Sequence, residues 1–131
     1  MSVSPWYVPG SLRNLEPADG NVAGFRFAYR VAEFRTMYYV THRMALFLDG
    51  AELKNPNLRL TYKGVTVRAA QLPETNWVCL RGELVEVAAD FPGGLRQGRH
   101  QVRLEAVFGG GFGGGAPAAS VRLCDFTGEI P

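Results

Sequence analysis

The chain has 131 residues, a length that suits one domain and can bury a core without disulfide bonds or metal ions. Its 14 basic and 12 acidic residues give a net charge of +2 and are spread along the sequence, which argues against nucleic-acid binding because that function usually needs a concentrated basic face. No apolar run approaches the ~20 residues of a membrane span, and the first ten residues lack the basic and apolar regions of a secretory signal, so we expect a soluble cytoplasmic protein.

The first 23 residues carry prolines and glycines but no periodic pattern, which predicts an irregular N-terminal arm over residues 1–23. Trp6, Tyr7 and Val8 are too apolar for a solvated tail. We therefore expect the arm to pack on the domain or on a partner.

Two predicted strands follow, between Gly24 and Leu53. The first alternates, since its aromatic residues fall on one side and its arginines on the other. Its inward set is Phe25, Phe27, Tyr29 and Val31. The second ends at Asp49-Gly50, which favours a hairpin because a type I′ turn needs positive φ at both central residues.

The remainder of the chain also reads as short strands divided by Gly/Pro turns. A long strand ends at Phe108, with His100 and Val102 on the same face. A short helical turn over 69–72 should stop at Pro73. The other predicted strands are Leu58–Tyr62, Val65–Arg68, Trp77–Leu80, Glu83–Ala88 and Val121–Phe126. With no helical period over ten or more residues, the sequence predicts an all-β single domain over residues 24–131, an antiparallel β-sandwich or jelly roll.

Metal and nucleophile chemistry find little support. His42 and His100 lie in separate strands without a ligand spacing, so we expect partly buried strand residues, with a contact role for His42 in a partner's site left open. Cys79 and Cys124 lie in apolar strands, the setting of inert thiols, and their pairing stays open. We predict no catalytic residue, metal ligand or cofactor in this chain.

Two other features have simple structural interpretations. Glu83 and Glu86 should lie on opposite faces of a strand as solvent-facing charges. The run Gly109–Gly115 lacks a phosphate-loop ending and is predicted to be a flexible loop between strands, although its Phe112 could serve a lid or a subunit contact.

An aromatic and cationic segment, residues 34–43, is richer than a connection needs to be. Such side chains are enriched at interface hot spots, and they also suit stacking on a sugar or an aromatic ring. A strand with its aromatics in the core is the alternative, and both roles are open for different residues. The predicted partner-binding set is Phe34, Arg35, Tyr38, Tyr39, His42, Arg43, Phe108 and Phe112.

Several motifs follow one another in a fixed order between about Gly24 and Phe126. They are a Gly-Phe-Arg-Phe strand, Phe34-Arg35, a strand ending in Asp49-Gly50, a Leu-Arg-Leu-x-Tyr-x-Gly hairpin (58–64), Trp77, Gly-Gly-Leu (93–95) and Gly-x-His-x-Val (98–102). This order resembles the small β subunit of bacterial C-glycoside deglycosidases. The glycine run and the proline-rich arm are not part of that pattern.

This resemblance implies a heteromeric complex with a larger TIM-barrel α subunit. The complex would cleave the carbon–carbon bond between a sugar and an aromatic aglycone in 3-oxo-C-glycosides, by α-proton abstraction and elimination. The divalent metal, expected to be Mn²⁺, and the histidine base would belong to the α subunit. The small subunit would support the α subunit and help to wall off its substrate pocket.

Two other functions remain alternatives. A stand-alone carbohydrate-binding module would be a stable monomer that binds sugars without a partner. An independent metal-dependent lyase or isomerase on a jelly roll would hold metal in the isolated chain and lose it on His42→Ala or His100→Ala.

Overall fold

The structure is a computed structural model that describes residues 6–15, 23–108 and 119–131. Within these ranges, short 3-10 helices lie at Tyr38–Val40 and Ala69–Glu74. The strands of the described residues are β1 (Arg13–Leu15), β2 (Gly24–Arg30), β3 (Arg35–Met37), β4 (Thr41–Leu48), β5 (Ala51–Glu52), β6 (Arg59–Tyr62), β7 (Val65–Arg68), β8 (Val78–Leu80), β9 (Leu84–Asp90), β10 (Gly98–Phe108) and β11 (Ala119–Ile130).

Two antiparallel sheets enclose the core, which confirms the predicted all-β, sandwich-like fold. One sheet has the strand order β1-β2-β9-β6-β7, and the other has the order β11-β10-β4-β5. The rings of Phe27 on β2 and Phe126 on β11 lie 5.2 Å apart, so side chains from the two sheets meet between them. A third element, the two-stranded ribbon of β3 and β8, extends from this frame.

The alternation of β2 is confirmed. Phe25, Phe27 and Tyr29 are at most 1% exposed and Val31 is 2% exposed, whereas Arg26 faces solvent. Burying side chains of this size contributes roughly 1.5–3 kcal/mol each, so this face anchors the sheet in the core.

The N-terminal arm is more regular than predicted. Arg13–Leu15 forms β1, which pairs with β2 in the register Asn14↔Phe25. The Tyr7 ring stacks on Phe126 with 3.7 Å between centroids and is 6% exposed, so this part of the arm packs on the domain. The prediction of an irregular arm is therefore wrong for β1, because backbone hydrogen bonds to the free edge of β2 order it.

The predicted turns are largely confirmed. Asp49 and Gly50 have φ values of 50° and 89°, as a type I′ hairpin between β4 and β5 requires. Pro73 does not stop the helical turn, since it lies inside the 3-10 helix Ala69–Glu74. That helix closes instead at Thr75, whose backbone N–H donates to the carbonyl of Leu72.

Candidate functional site

The β3–β8 ribbon continues the pairing of β2 with β9 beyond a break. Across the break, the Val31 N–H donates to the carbonyl of Glu83 at 2.9 Å, and the Arg81 N–H donates to the carbonyl of Phe34 at 3.1 Å. The regular ladder then resumes with Arg35 opposite Leu80. The ribbon is thus held at its base by the central pair of the five-stranded sheet.

The two sides of the ribbon differ sharply in exposure. Thr36 and its cross-strand neighbour Cys79 point inward and are 7% and 0% exposed. On the outer side, Met37 lies opposite Val78, and both are more than one third exposed, while Leu80 is 51% exposed. An outward row of apolar side chains on a two-stranded ribbon is unusual because solvent contact gives it no stabilisation.

Neighbouring residues extend this apolar surface. Phe34 is 77% exposed just before β3, and the 3-10 helix after β3 exposes Tyr39 and Val40. These six residues hold most of the exposed large apolar side chains in the described ranges, and we call them the ribbon face: Phe34, Met37, Tyr39, Val40, Val78 and Leu80. Clustered exposure of this kind marks interaction sites, whereas scattered apolar residues do not.

An open depression of about 450 Å³ lies next to the ribbon face. Its wall includes Arg35 and Phe108, which the sequence analysis placed together in one predicted set although they are far apart in the chain. The remaining lining residues are Glu33, Thr36, Met37, Val40 and Val121. The depression therefore joins the ribbon to the end of β10 and gives the surface a concave part.

Buried tyrosines fix the ribbon from inside. The Tyr29 and Tyr38 hydroxyls hydrogen-bond each other, and both side chains are 1% exposed. Burial raises the pKa of both phenols, so both stay neutral. The Tyr38 N–H also donates to the carbonyl of Trp77 at 2.9 Å. These bonds hold the start of the 3-10 helix, which carries Tyr39 and Val40 on its outer side.

Glu83 secures the other end of the ribbon. Its Oε1 accepts from the Tyr62 hydroxyl at 2.6 Å and from the Leu80 N–H at 2.7 Å. The Tyr62 bond and then the Leu80 bond lower the pKa of Glu83, and Lys63 Nζ lies 3.3 Å from Oε2. Glu86 faces solvent as predicted, whereas Glu83 precedes β9 and is a partly exposed charge that is engaged in this network.

The predicted partner-binding residues separate into four groups. The first lies on or beside the ribbon face and comprises Phe34, Arg35, Tyr39 and Phe108. Tyr38 is buried, so it supports the ribbon and offers no contact surface. Phe112 lies outside the described residues.

His42 and Arg43 follow the 3-10 helix on β4 and are both exposed. The expectation that His42 is partly buried is therefore wrong, because the register between β4 and β10 shifts at this point and leaves His42 without a partner on β10. Arg43 lies 3.6 Å from Glu52 on the neighbouring β5. These two residues continue the exposed surface beyond the 3-10 helix rather than lining the depression.

Residues that the sequence analysis missed complete the surface. Met37, Val40, Val78 and Leu80 were not predicted as contacts. The strand Val78–Leu80 has two faces, with Cys79 on one and its two apolar neighbours on the other. A pattern of three apolar residues does not indicate that Val78 and Leu80 are the ones that point outward.

His100 is a structural residue. Its Nδ1 lies 2.9 Å from Asp49 Oδ2, and its Nε2 lies 2.8 Å from the carbonyl oxygen of Arg96. Burial lowers the pKa of His100, but the bond to Arg96 and the bond and charge of Asp49 outweigh it and raise the pKa above the ordinary value. The ring thus ties the β4–β5 turn to the start of β10.

No group of three His, Cys, Asp or Glu side chains in the described ranges could hold a metal ion. The cysteines are both free and buried, and burial raises the pKa of each thiol to about 12, as expected for inert residues. Among the same residues, no helix is long and apolar enough to cross a bilayer.

Comparison with known proteins gives one family. Residues 4–110 match the family described as C-glycoside deglycosidase beta subunit, and this span includes most of the arm, the ribbon and most of both sheets. The expectation that the arm lies outside the family pattern is therefore wrong. The search of curated proteins returned no match. Since the matched span covers most of the chain, this protein belongs to the C-glycoside deglycosidase beta subunit family.

Proposed function

We propose that this chain is the small subunit of a complex that cleaves the carbon–carbon bond between sugar and aromatic aglycone in 3-oxo-C-glycosides. The main active site would lie on a larger TIM-barrel α subunit. Membership of a beta-subunit family supports a hetero-oligomeric role. The single structural observation that carries the proposal is the ribbon face. This apolar surface lies on a ribbon that buried hydrogen bonds hold in place, and no other part of the described chain covers it.

The chemistry follows from the 3-oxo group of the substrate. A ketone at C3 acidifies the C2 proton, so a general base can remove it. The electron pair then forms a double bond between C1 and C2, the bond from C1 to the aglycone breaks, and the aglycone ring carbon takes up a proton. The step balances without an oxidant because the substrate arrives already oxidised.

The described residues of this chain do not fit a metal centre, and we assign no step to a metal here. Mn²⁺ and the histidine base are proposed for the α subunit. His100 does not suit the role of base, since both of its ring nitrogens are engaged within the fold. This chain would contribute by supporting the α subunit and by helping to exclude water from its substrate pocket.

The ribbon face is proposed to dock on the α subunit. Phe34 and Tyr39 supply large rigid contact areas, and Arg35 supplies a planar donor at the rim of the depression. Docking would cover apolar side chains that are solvated in the free chain, and it would exclude water from the neighbouring substrate pocket. The buried tyrosine pair would keep the surface rigid, which limits the entropy lost on binding.

Co-expression with a larger deglycosidase subunit tests this function. We expect the two chains to co-elute in size-exclusion chromatography, and we expect the complex to release aglycone from a 3-oxo-C-glycoside while neither chain does so alone. A monodisperse lone chain that ignores the larger subunit and binds glycans by itself would support the carbohydrate-binding module instead.

A further inference from the structure

A row of arginines crosses the outer face of the five-stranded sheet. Directly paired residues of adjacent strands point to the same face of a sheet. The register pairs Arg13 with Arg26, Arg26 with Ala88, Ala88 with Arg59, and Arg59 with Arg68. Four of the five strands therefore place an arginine in one row, which spans roughly 19 Å at an interstrand spacing of about 4.8 Å.

No acidic side chain of the described residues forms an ion pair with three of these four arginines. These three, Arg13, Arg26 and Arg68, are exposed. Arg59 is paired, with its Nη1 2.8 Å from Asp90 Oδ1. Like charges directly opposite each other on adjacent strands destabilise a sheet, so the row opposes folding at two positions. The arginine row lowers the stability of the fold and contributes nothing to the core, so we interpret it as a binding surface.

We propose that this arginine row binds an acidic surface of the partner subunit, an inference that rests on the proposed function. Guanidinium groups suit carboxylates because they form paired hydrogen bonds with them. The row lies roughly 13 Å from the base of the ribbon, since Arg30 stands four residues beyond Arg26 on β2 and its Nη1 donates to the carbonyl of Gly82 at 3.0 Å. One partner surface can therefore reach both.

The composition of the face favours a protein over a nucleic acid. Glu86 and Asp90 lie on β9 between the arginines of β2 and β6, and they would repel a phosphate backbone that crossed the row. An acidic protein patch can place its carboxylates opposite the arginines alone. The net charge of the chain, only +2, also gives little attraction for a long polyanion.

The test is the association rate with the larger subunit, purified separately from this chain and measured by surface plasmon resonance at low and high salt. The variant is Arg26→Glu/Arg68→Glu, and the control is Lys54→Glu/Arg96→Glu, which changes the net charge equally at exposed residues away from the row. We expect association of the variant to be slower than that of the control by about tenfold or more at low salt, with the gap closing as salt rises. Thermal unfolding of the free variant should occur at or above the wild-type temperature, because two repulsive pairs become attractive.

Equal association rates for variant and control, in a complex that still forms, would overturn the arginine proposal and leave the proposed function standing. No binding of the wild-type chain to the larger subunit would overturn both. Tight, salt-dependent binding of wild type to a duplex DNA probe, lost in the variant without any effect on the partner, would overturn the protein assignment in favour of nucleic acid.

Discussion

Tyr29 and Tyr38 give a sharp test of how the ribbon is held. Their hydroxyls hydrogen-bond each other in a site where both side chains are 1% exposed. Tyr29→Phe removes one hydroxyl and leaves that of Tyr38 buried without its partner, and Tyr38→Phe does the reverse. An unsatisfied buried polar group costs about 1–3 kcal/mol, so each single variant should lose about that much free energy of unfolding.

The double variant should behave differently. Replacing both partners with apolar groups of the same shape is nearly neutral, because no polar group is left unsatisfied. We therefore expect Tyr29→Phe/Tyr38→Phe to be more stable than either single variant and to lie within about 1 kcal/mol of wild type. The three variants and wild type form a double-mutant cycle, with urea denaturation as the assay.

Additive losses in this cycle would refute the reasoning. If the double variant loses the sum of the two single losses, the hydroxyls act independently and their mutual bond does not hold the 3-10 helix. Tyr39→Phe provides the matched control, because Tyr39 is 38% exposed and should change stability by no more than about 0.5 kcal/mol.

Three further predictions concern other parts of the fold. Both ring nitrogens of His100 face acceptors, so its folded pKa lies above the ordinary 6.5, and the stability that it contributes is fully present below pH 6.5. In urea titrations, the stability advantage of wild type over His100→Gln should shrink as the pH rises through the folded pKa. A stability difference that stays constant with pH would contradict this. Cys79 and Cys124 should resist a thiol reagent at pH 7 in the native chain and react only after denaturation, whereas labelling at native rates would show that a thiol is accessible. Gly24→Ala should lower the free energy of unfolding by about 1–3 kcal/mol in a denaturant titration, since a Cβ there would overlap the carbonyl oxygen of Ala89. The control is Gly64→Ala, whose Cβ would meet no atoms, so it should lose only the smaller amount caused by its positive φ.

Strong local patterns made much of the fold predictable. The alternation in β10 places Val102, Leu104 and Ala106 inside because a period of two can bury only one face. Asp49-Gly50 specified its turn through backbone conformation alone. These features depend on neighbouring residues, so a single sequence contains them.

The missed features depend on residues distant in sequence. The strand Arg13–Leu15 has three residues and no period, and its order comes from the edge of β2. Tyr38 and Tyr39 are identical in type, yet one is core and the other surface, because only the first meets Tyr29. The ribbon face was predicted in part, since residue type indicated Phe34, Arg35 and Tyr39 but gave no reason to turn Val78 and Leu80 outward.

The most direct test of the central claim is the affinity of ribbon-face variants for the larger subunit. Leu80→Asp places a carboxylate in the middle of the ribbon face, and Val65→Asp makes a similar change at a residue of matched exposure, 54% against 51%, outside it. Docking buries only the exposed half of Leu80, which is worth about half of the 1.5–3 kcal/mol for a whole leucine, and the introduced carboxylate adds a desolvation cost, so Leu80→Asp should weaken binding by about tenfold or more. Val65→Asp should bind as wild type does in the same calorimetric titration. Equal affinities for the two variants would contradict the claim that the ribbon face is the docking surface.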